Sequence, residues 1–131
     1  MNIKQVIVIR KDINMRRGKE IAQGSHASMA FLTRRLSKAG EFDNGQIHQI
    51  PLTGVELAWL DGMFTKVCLQ VDSEEQLLEI YEKAKANFLE VHLVTDAGKT
   101  EFKGVPTNTC LAIGPDFSVK IDLVTGHLKL Y

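Results

Sequence analysis

Apolar and polar positions change rhythm several times along the chain, and each rhythm predicts an element. Residues 3–10 read Ile-Lys-Gln-Val-Ile-Val-Ile-Arg, a short β-branched run that is almost continuously apolar. That pattern fits a strand buried on both faces. Asp12 to Gly18 is polar and basic and reads as a loop. From Lys19 to about Lys38 the period is helical, and Gly40 stops it. At about 100° per residue, Ala22, Ser25, Met29, Leu32 and Leu36 form one stripe with the spacing of a core face.

Phe64 to Val71 alternates and is rich in strand formers, so it predicts a second strand. Ser73 and Gln76 have the spacing of a capping box. The helix behind them, to about Asn87, puts Leu77, Ile80, Tyr81 and Ala84 on one face. Glu90 to Thr95 predicts a third strand, followed by a glycine-containing loop from Asp96 to about Thr107. Thr109 to Gly114 predicts a fourth strand closed by Pro115, and Asp116 to Leu123 a short helix. Gly126 precedes an extended tail, His127 to Tyr131. Residues 40–62 are the least patterned part and read as a variable insert, with room for a short helix around Val55 to Leu60. The order β-α-β-α-β-β calls for an α/β fold with two right-handed crossovers and a sheet covered by helices.

Composition narrows the class without naming a function. The chain has 131 residues, the size of one domain, taken as 1–131. It is 44% apolar and 24% charged, which excludes a disordered chain, a collagen-like fibre and a disulfide-stapled module. Its apolar runs fall far short of the roughly twenty residues that cross a membrane. The N-terminus lacks the pattern of a signal peptide, so a cytoplasmic protein is expected. Cys68 and Cys110 both sit in apolar segments and read as reduced core thiols.

Net charge is zero, but its distribution is uneven. Residues 1–40 carry nine basic side chains and two acids, and the remainder carries seven basic and fourteen acidic ones. One surface that prefers an anion is a natural reading, and a solvated helix end around Arg34, Arg35 and Lys38 is the other.

The first helix offers candidate chemistry. Lys19, Gln23 and His26 form a polar stripe beside the apolar one and begin at the helix N-terminus. A lysine there runs against the helix dipole, and that end suits a phosphate or a developing oxyanion. The same spacing also describes an exposed polar stripe with His26 half-buried by packing. The loop Asp96-Ala97-Gly98-Lys99-Thr100 follows a strand, where sites are commonly built, although such an aspartate can simply cap its turn. No phosphate loop, dinucleotide fingerprint or nucleophile elbow is present. His26, His48, His92 and His127 have no metal-ligand spacing with either cysteine, so neither metal nor cofactor is expected.

Six segments, taken together, resemble the type 2 peptidyl-tRNA hydrolase family. Arg10-Lys11-Asp12-Ile13-Asn14-Met15-Arg16-Arg17-Gly18-Lys19 is similar to its R-x-D-L-x-M-x-x-G-K opening, and Ala22-Gln23-Gly24-Ser25-His26-Ala27 to its A-Q-x-x-H-A. Phe64 to Ser73 is similar to its second strand and helix cap. Asp96-Ala97-Gly98-Lys99-Thr100-Glu101 matches D-A-G-[RK]-T-E. Leu111-Ala112-Ile113-Gly114-Pro115 and Thr125-Gly126-His127-Leu128-Lys129-Leu130 match the closing blocks. The blocks occur in family order. The chain departs from the pattern at Glu20 and Ile21, at Gly24, which replaces a usually larger residue, and in Phe102-Lys103-Gly104-Val105-Pro106 after Thr100.

The resemblance implies a four-stranded mixed β-sheet flanked by helices on both faces. It implies hydrolysis of the ester between peptide and tRNA, with Lys19 and Asp96 essential and Gln23, His26 and Thr100 as site neighbours. In that reading Asp96 orients or deprotonates a water, Lys19 stabilises the oxyanion, Gln23 and Thr100 position the reactants, and His26 shuttles a proton or holds the helix. Arg16, Arg17, Arg34, Arg35 and Lys38 would hold the tRNA phosphates. A homodimer through the tail or an exposed helix face is a further expectation. The alternative is a non-catalytic tRNA- or protein-binding module on the same scaffold.

Overall fold

A computed structural model describes residues 2–39 and 48–131, the side chains of 37–39 excepted. β1 (Ile3–Arg10) lies inside a four-stranded sheet between β2 (Lys66–Val71) and β4 (Thr107–Phe117), and β3 (Val91–Asp96) flanks β4 on the far edge. β1 pairs with β2 in parallel and with β4 antiparallel, and β3 pairs antiparallel with β4. The sheet is therefore mixed, and β1, β2 and β3 end at the same edge. α1 (Arg17–Ala39) and α2 (Gly54–Asp61) connect β1 to β2, α3 (Glu74–Ala86) connects β2 to β3, and α4 (Ser118–Thr125) follows β4.

The continuous apolar run of β1 is explained by its two buried faces. Val6 and Val8 join Leu77 and Ile80 of α3 and Ile121 and Val124 of α4 in one core. Ile7 and Ile9 face the other way, onto Met15, Ala27 of α1, Cys110 and Ala112. α3 begins as its sequence predicts, with the Ser73 hydroxyl accepting from Gln76 N–H at 3.1 Å. α2 has its own capping box, Thr53 with Glu56. The carboxylate of Glu56 is buried and accepts a two-pronged contact from Arg35, at 2.7 and 2.9 Å. Of the insert read as 40–62, residues 40–47 lie outside the described residues.

Three expectations are corrected. The stripe Ala22, Ser25, Met29, Leu32, Leu36 is not the buried face of α1: Met29 is 55% and Leu36 39% exposed. Gln23, Gly24, Ala27, Ala30 and Phe31 face the sheet instead. Small Ala27 and Ala30 let the helix approach the strands, and the Gln23 amide is buried because it is hydrogen-bonded there. Cys68 is an exposed free thiol whereas Cys110 is buried, because α1 does not cover β2. Pro115 does not end β4. A register shift between Lys4 and Val6 lets pairing resume beyond the proline, with Asp116 opposite Lys4 and Phe117 opposite Ile3.

The tail expected from His127 onward adds a short antiparallel contact to the outer edge of β2. Leu130 bridges Leu69, and Tyr131 N–H donates to the Cys68 carbonyl at 3.0 Å. The Tyr131 hydroxyl donates to the Glu20 carboxylate of α1. That carboxylate, with burial, pushes the phenol up to about 12.

Candidate active site

The carboxyl edge of the sheet brings together the N-terminal turn of α1 and the loop after β3. Asp96 is the last residue of β3, and Lys19 lies in the first turn of α1. Lys19 Nζ donates to Asp96 Oδ1 at 2.7 Å and to Thr100 Oγ1 at 3.1 Å. Gln23, one helical turn on, donates its Nε2 to the same Asp96 oxygen at 3.4 Å. Gly98 N–H donates to Asp96 Oδ2 at 2.8 Å. Both Lys19 and Asp96 side chains are largely buried, at 14% and 13% exposure. The Lys19 ammonium, the Gly98 N–H and the nearby His26 hold the Asp96 carboxyl below the usual carboxylate range, against burial that pushes it up.

The loop is shaped to deliver these contacts. Gly98 has φ +81°, and a Cβ there would lie 2.3 Å from the Val105 carbonyl oxygen. Only glycine tolerates both demands. Gly104 N–H returns to the Gly98 carbonyl at 2.9 Å and closes the loop on itself. Phe102 packs against the core under α1 and anchors its middle. Glu101 pairs with Arg16 across the site at 2.7 Å.

Of the five residues predicted for chemistry, Lys19, Gln23, Asp96 and Thr100 form one hydrogen-bonded cluster. His26 is exposed one turn beyond Gln23, near enough to Asp96 for its charge to be felt. The residues predicted for phosphate contact divide. Arg16 and Arg17 are exposed beside the cluster, Arg16 bound to Glu101. Arg34 and Arg35 lie roughly 26 Å from Arg17 along the helix. Arg35 is tied to Glu56 and Glu90. Arg34 donates to the Leu93 carbonyl at 2.9 Å and to His92 Nδ1 at 2.6 Å. An arginine only donates, so His92 Nδ1 accepts and Nε2–H donates to Glu90. The Lys38 side chain lies outside the described residues.

Sequence reasoning missed Thr109 and Gly98. The Thr109 hydroxyl is fully buried and donates to Gln23 Oε1 at 2.5 Å. Its signal was indirect: a glutamine amide on a sheet-facing helix needs a donor for its oxygen, and a strand hydroxyl can supply one.

The arrangement leaves defined groups for a reactant. An ammonium has three N–H donors and Lys19 spends two; a primary amide has two and Gln23 spends one. The Thr100 hydroxyl hydrogen and a lone pair on Asp96 Oδ2 complete a set of donors around a fixed carboxylate.

Comparison with known proteins adds the wider context. The peptidyl-tRNA hydrolase PTH2 family matches residues 3–131. A peptidyl-tRNA hydrolase of Methanocaldococcus jannaschii is 39% identical over 129 residues, covering 98% of this chain and 99% of its own. One from Methanothermobacter thermautotrophicus is 39% identical over 128 residues, with coverage of 98% and 99%. A probable peptidyl-tRNA hydrolase 2 of Drosophila melanogaster is 32% identical over 129 residues, covering 98% of this chain and 62% of its own. A solved structure of a protein of unknown function from Agrobacterium tumefaciens C58 superposes with a TM-score of 0.58 at 13% identity. It covers 100% of this chain and 98% of its own, a likeness of fold alone.

Proposed function

The chain belongs to the peptidyl-tRNA hydrolase PTH2 family and hydrolyses the ester joining peptide to tRNA, and we propose that it does so through Lys19, Asp96, Gln23 and Thr100. The observation that carries this assignment is the Lys19–Asp96 pair at 2.7 Å with donors left over on Lys19, Gln23 and Thr100.

A water held on the open lone pair of Asp96 Oδ2 attacks the ester carbonyl carbon. Negative charge collects on the carbonyl oxygen, and the remaining Lys19 and Gln23 donors face it at the positive end of α1. The C–O bond to the tRNA ribose then breaks, the leaving oxygen takes one of the two protons of the water, the other passes to solvent, and the peptide departs as a carboxylate. An Asp96 held this acidic orients the water better than it accepts its proton. His26, exposed beside the cluster, is placed to relay that proton.

Arg16 and Arg17 hold tRNA phosphates next to the site, with Lys99 and Lys103 exposed on the neighbouring loop. Arg34 and Arg35 serve the fold instead. No helix among the described residues is long and apolar enough to cross a membrane; we place the enzyme in the cytoplasm as a homodimer. Release of N-acetylated amino acid from tRNA tests the assignment: turnover by the natural chain and its loss in Asp96→Ala support it, and turnover in both moves the site elsewhere.

A further inference from the structure

The carboxyl edge of the sheet holds a cavity apart from the Lys19–Asp96 cluster. It encloses about 430 Å³, within the size range of small-molecule sites. Its position follows from the topology. β1 and β2 are parallel neighbours, but the chain leaves β1 for α1 on one face of the sheet and β2 for α3 on the other. Divergence of this kind opens a crevice beyond the two strand ends, where α/β sheets bind ligands. Lys11 and Asp72 are the first residues past β1 and β2, and both line the cavity.

Two further segments supply its walls. Glu79 and Lys83 follow one another along a stripe of α3. His127 and Lys129 come from the tail, which Gln70 N–H fixes to the edge of β2 through the Lys129 carbonyl at 3.0 Å. The lining thus carries three ammonium groups against two carboxylates. Among the described residues, no ion pair joins Lys11, Lys83 or Lys129 to a carboxylate, and none joins Asp72 or Glu79 to a cation. Both signs therefore remain open to a ligand. Ammonium groups suit a phosphate. The carboxylates repel a bare inorganic anion and accept from hydroxyl groups instead. A nucleotide carries both a phosphate and a ribose diol.

We propose that this cavity binds a nucleotide, with its phosphate on Lys11, Lys83 and Lys129 and its ribose hydroxyls on Asp72. The nucleotide is a free one or one of the tRNA chain, and the second source rests on the hydrolase reading above. The cavity lies two to three strand spacings from Asp96, about 10–14 Å along the edge, a distance that one bound tRNA spans.

NMR titration of the full chain with adenosine monophosphate tests this. The nucleotide should shift the Lys11, Asp72 and Lys129 amides along a saturable curve. Lys83→Glu and Lys129→Glu should each raise the dissociation constant by about tenfold or more, with the circular dichroism kept. Asp72→Ala should weaken the nucleotide but bind inorganic phosphate no less tightly, which separates ribose from phosphate recognition. Deacylated tRNA then identifies the source. A nucleotide of the tRNA chain makes adenosine monophosphate and tRNA compete for these amides, and Lys83→Glu raises KM with little change in kcat. A free nucleotide leaves the amides unmoved by tRNA and the KM of Lys83→Glu at its natural value. Amides that stay still at millimolar nucleotide, or curves that are the same in the natural chain and both charge-reversed variants, overturn the site. Binding is read without turnover, so that outcome is distinct from a failure of the Lys19–Asp96 assignment, which Asp96→Ala decides.

Discussion

The Thr109 hydroxyl donates to Gln23 Oε1, and by occupying that oxygen it turns the Gln23 Nε2 toward Asp96. An amide flipped the other way would set its oxygen, an acceptor, against the carboxylate. Thr109 thus positions a residue of the site without facing the reactants.

Thr109→Val should therefore lower kcat by about five- to tenfold with little change in KM, the worth of one ordinary hydrogen bond. Thr109→Ser should restore most of it. Steady-state kinetics on N-acetylated aminoacyl-tRNA decides this; an unchanged kcat in the valine variant would show that Gln23 orients itself.

Lys19→Ala and Asp96→Ala should each cost about a hundred- to a thousandfold in kcat, the scale of one oxyanion-type contact. Because the two are bonded at 2.7 Å and act as a unit, the double variant should be little worse than either single one. Multiplying losses would mean independent roles.

The acid limb of the pH profile should lie below the ordinary carboxylate range, because Lys19 and the Gly98 N–H hold Asp96 ionised. Lys19→Met should move that limb upward in whatever activity remains. The same shift acts on stability. A carboxyl whose folded-state pKa is depressed contributes fully above its unfolded value of about 3.9, and that contribution is lost as pH falls through the folded-state value. Denaturation as a function of pH, with Asp96→Asn as the control, measures it.

Glu56→Gln should destabilise the fold by about 2 kcal/mol, the worth of a charged hydrogen bond. Burial pushes the Glu56 carboxyl up, but the Arg35 guanidinium and the Thr53 N–H outweigh it and hold it ionised. Thermal unfolding should show a Tm lower by several degrees, with activity per folded molecule unchanged.

Arg17 and Arg35 should separate in a salt titration. Removing Arg17, exposed beside the site, should reduce the slope of log affinity for tRNA against log salt by about 1. Arg35→Ala should leave that slope in place and lower stability, because its guanidinium already serves Glu56 and Glu90.

Much of this was legible in the order of residues. The buried run of β1, the Ser73 cap and the Asp96 loop are local, and local patterns follow from backbone periodicity and turn chemistry. The helical spacing of Lys19 and Gln23 already put two site residues on one stripe. Which face of α1 meets the sheet was not legible. A periodic apolar arc says that a face is apolar, not what covers it, and the Met29 arc overhangs the face of β2 turned away from α3, which no helix among the described residues covers.

The sequence by itself determined the elements, their order and the residues able to do chemistry, because each is set by neighbours a few positions away. Only the tertiary structure decided that Asp96 meets Lys19, that Thr109 reaches Gln23 and that Arg35 is spent on Glu56. Those contacts join residues from separate elements. They exist because the parallel strands end at one edge and α1 crosses the sheet above it, a geometry that no local spacing encodes.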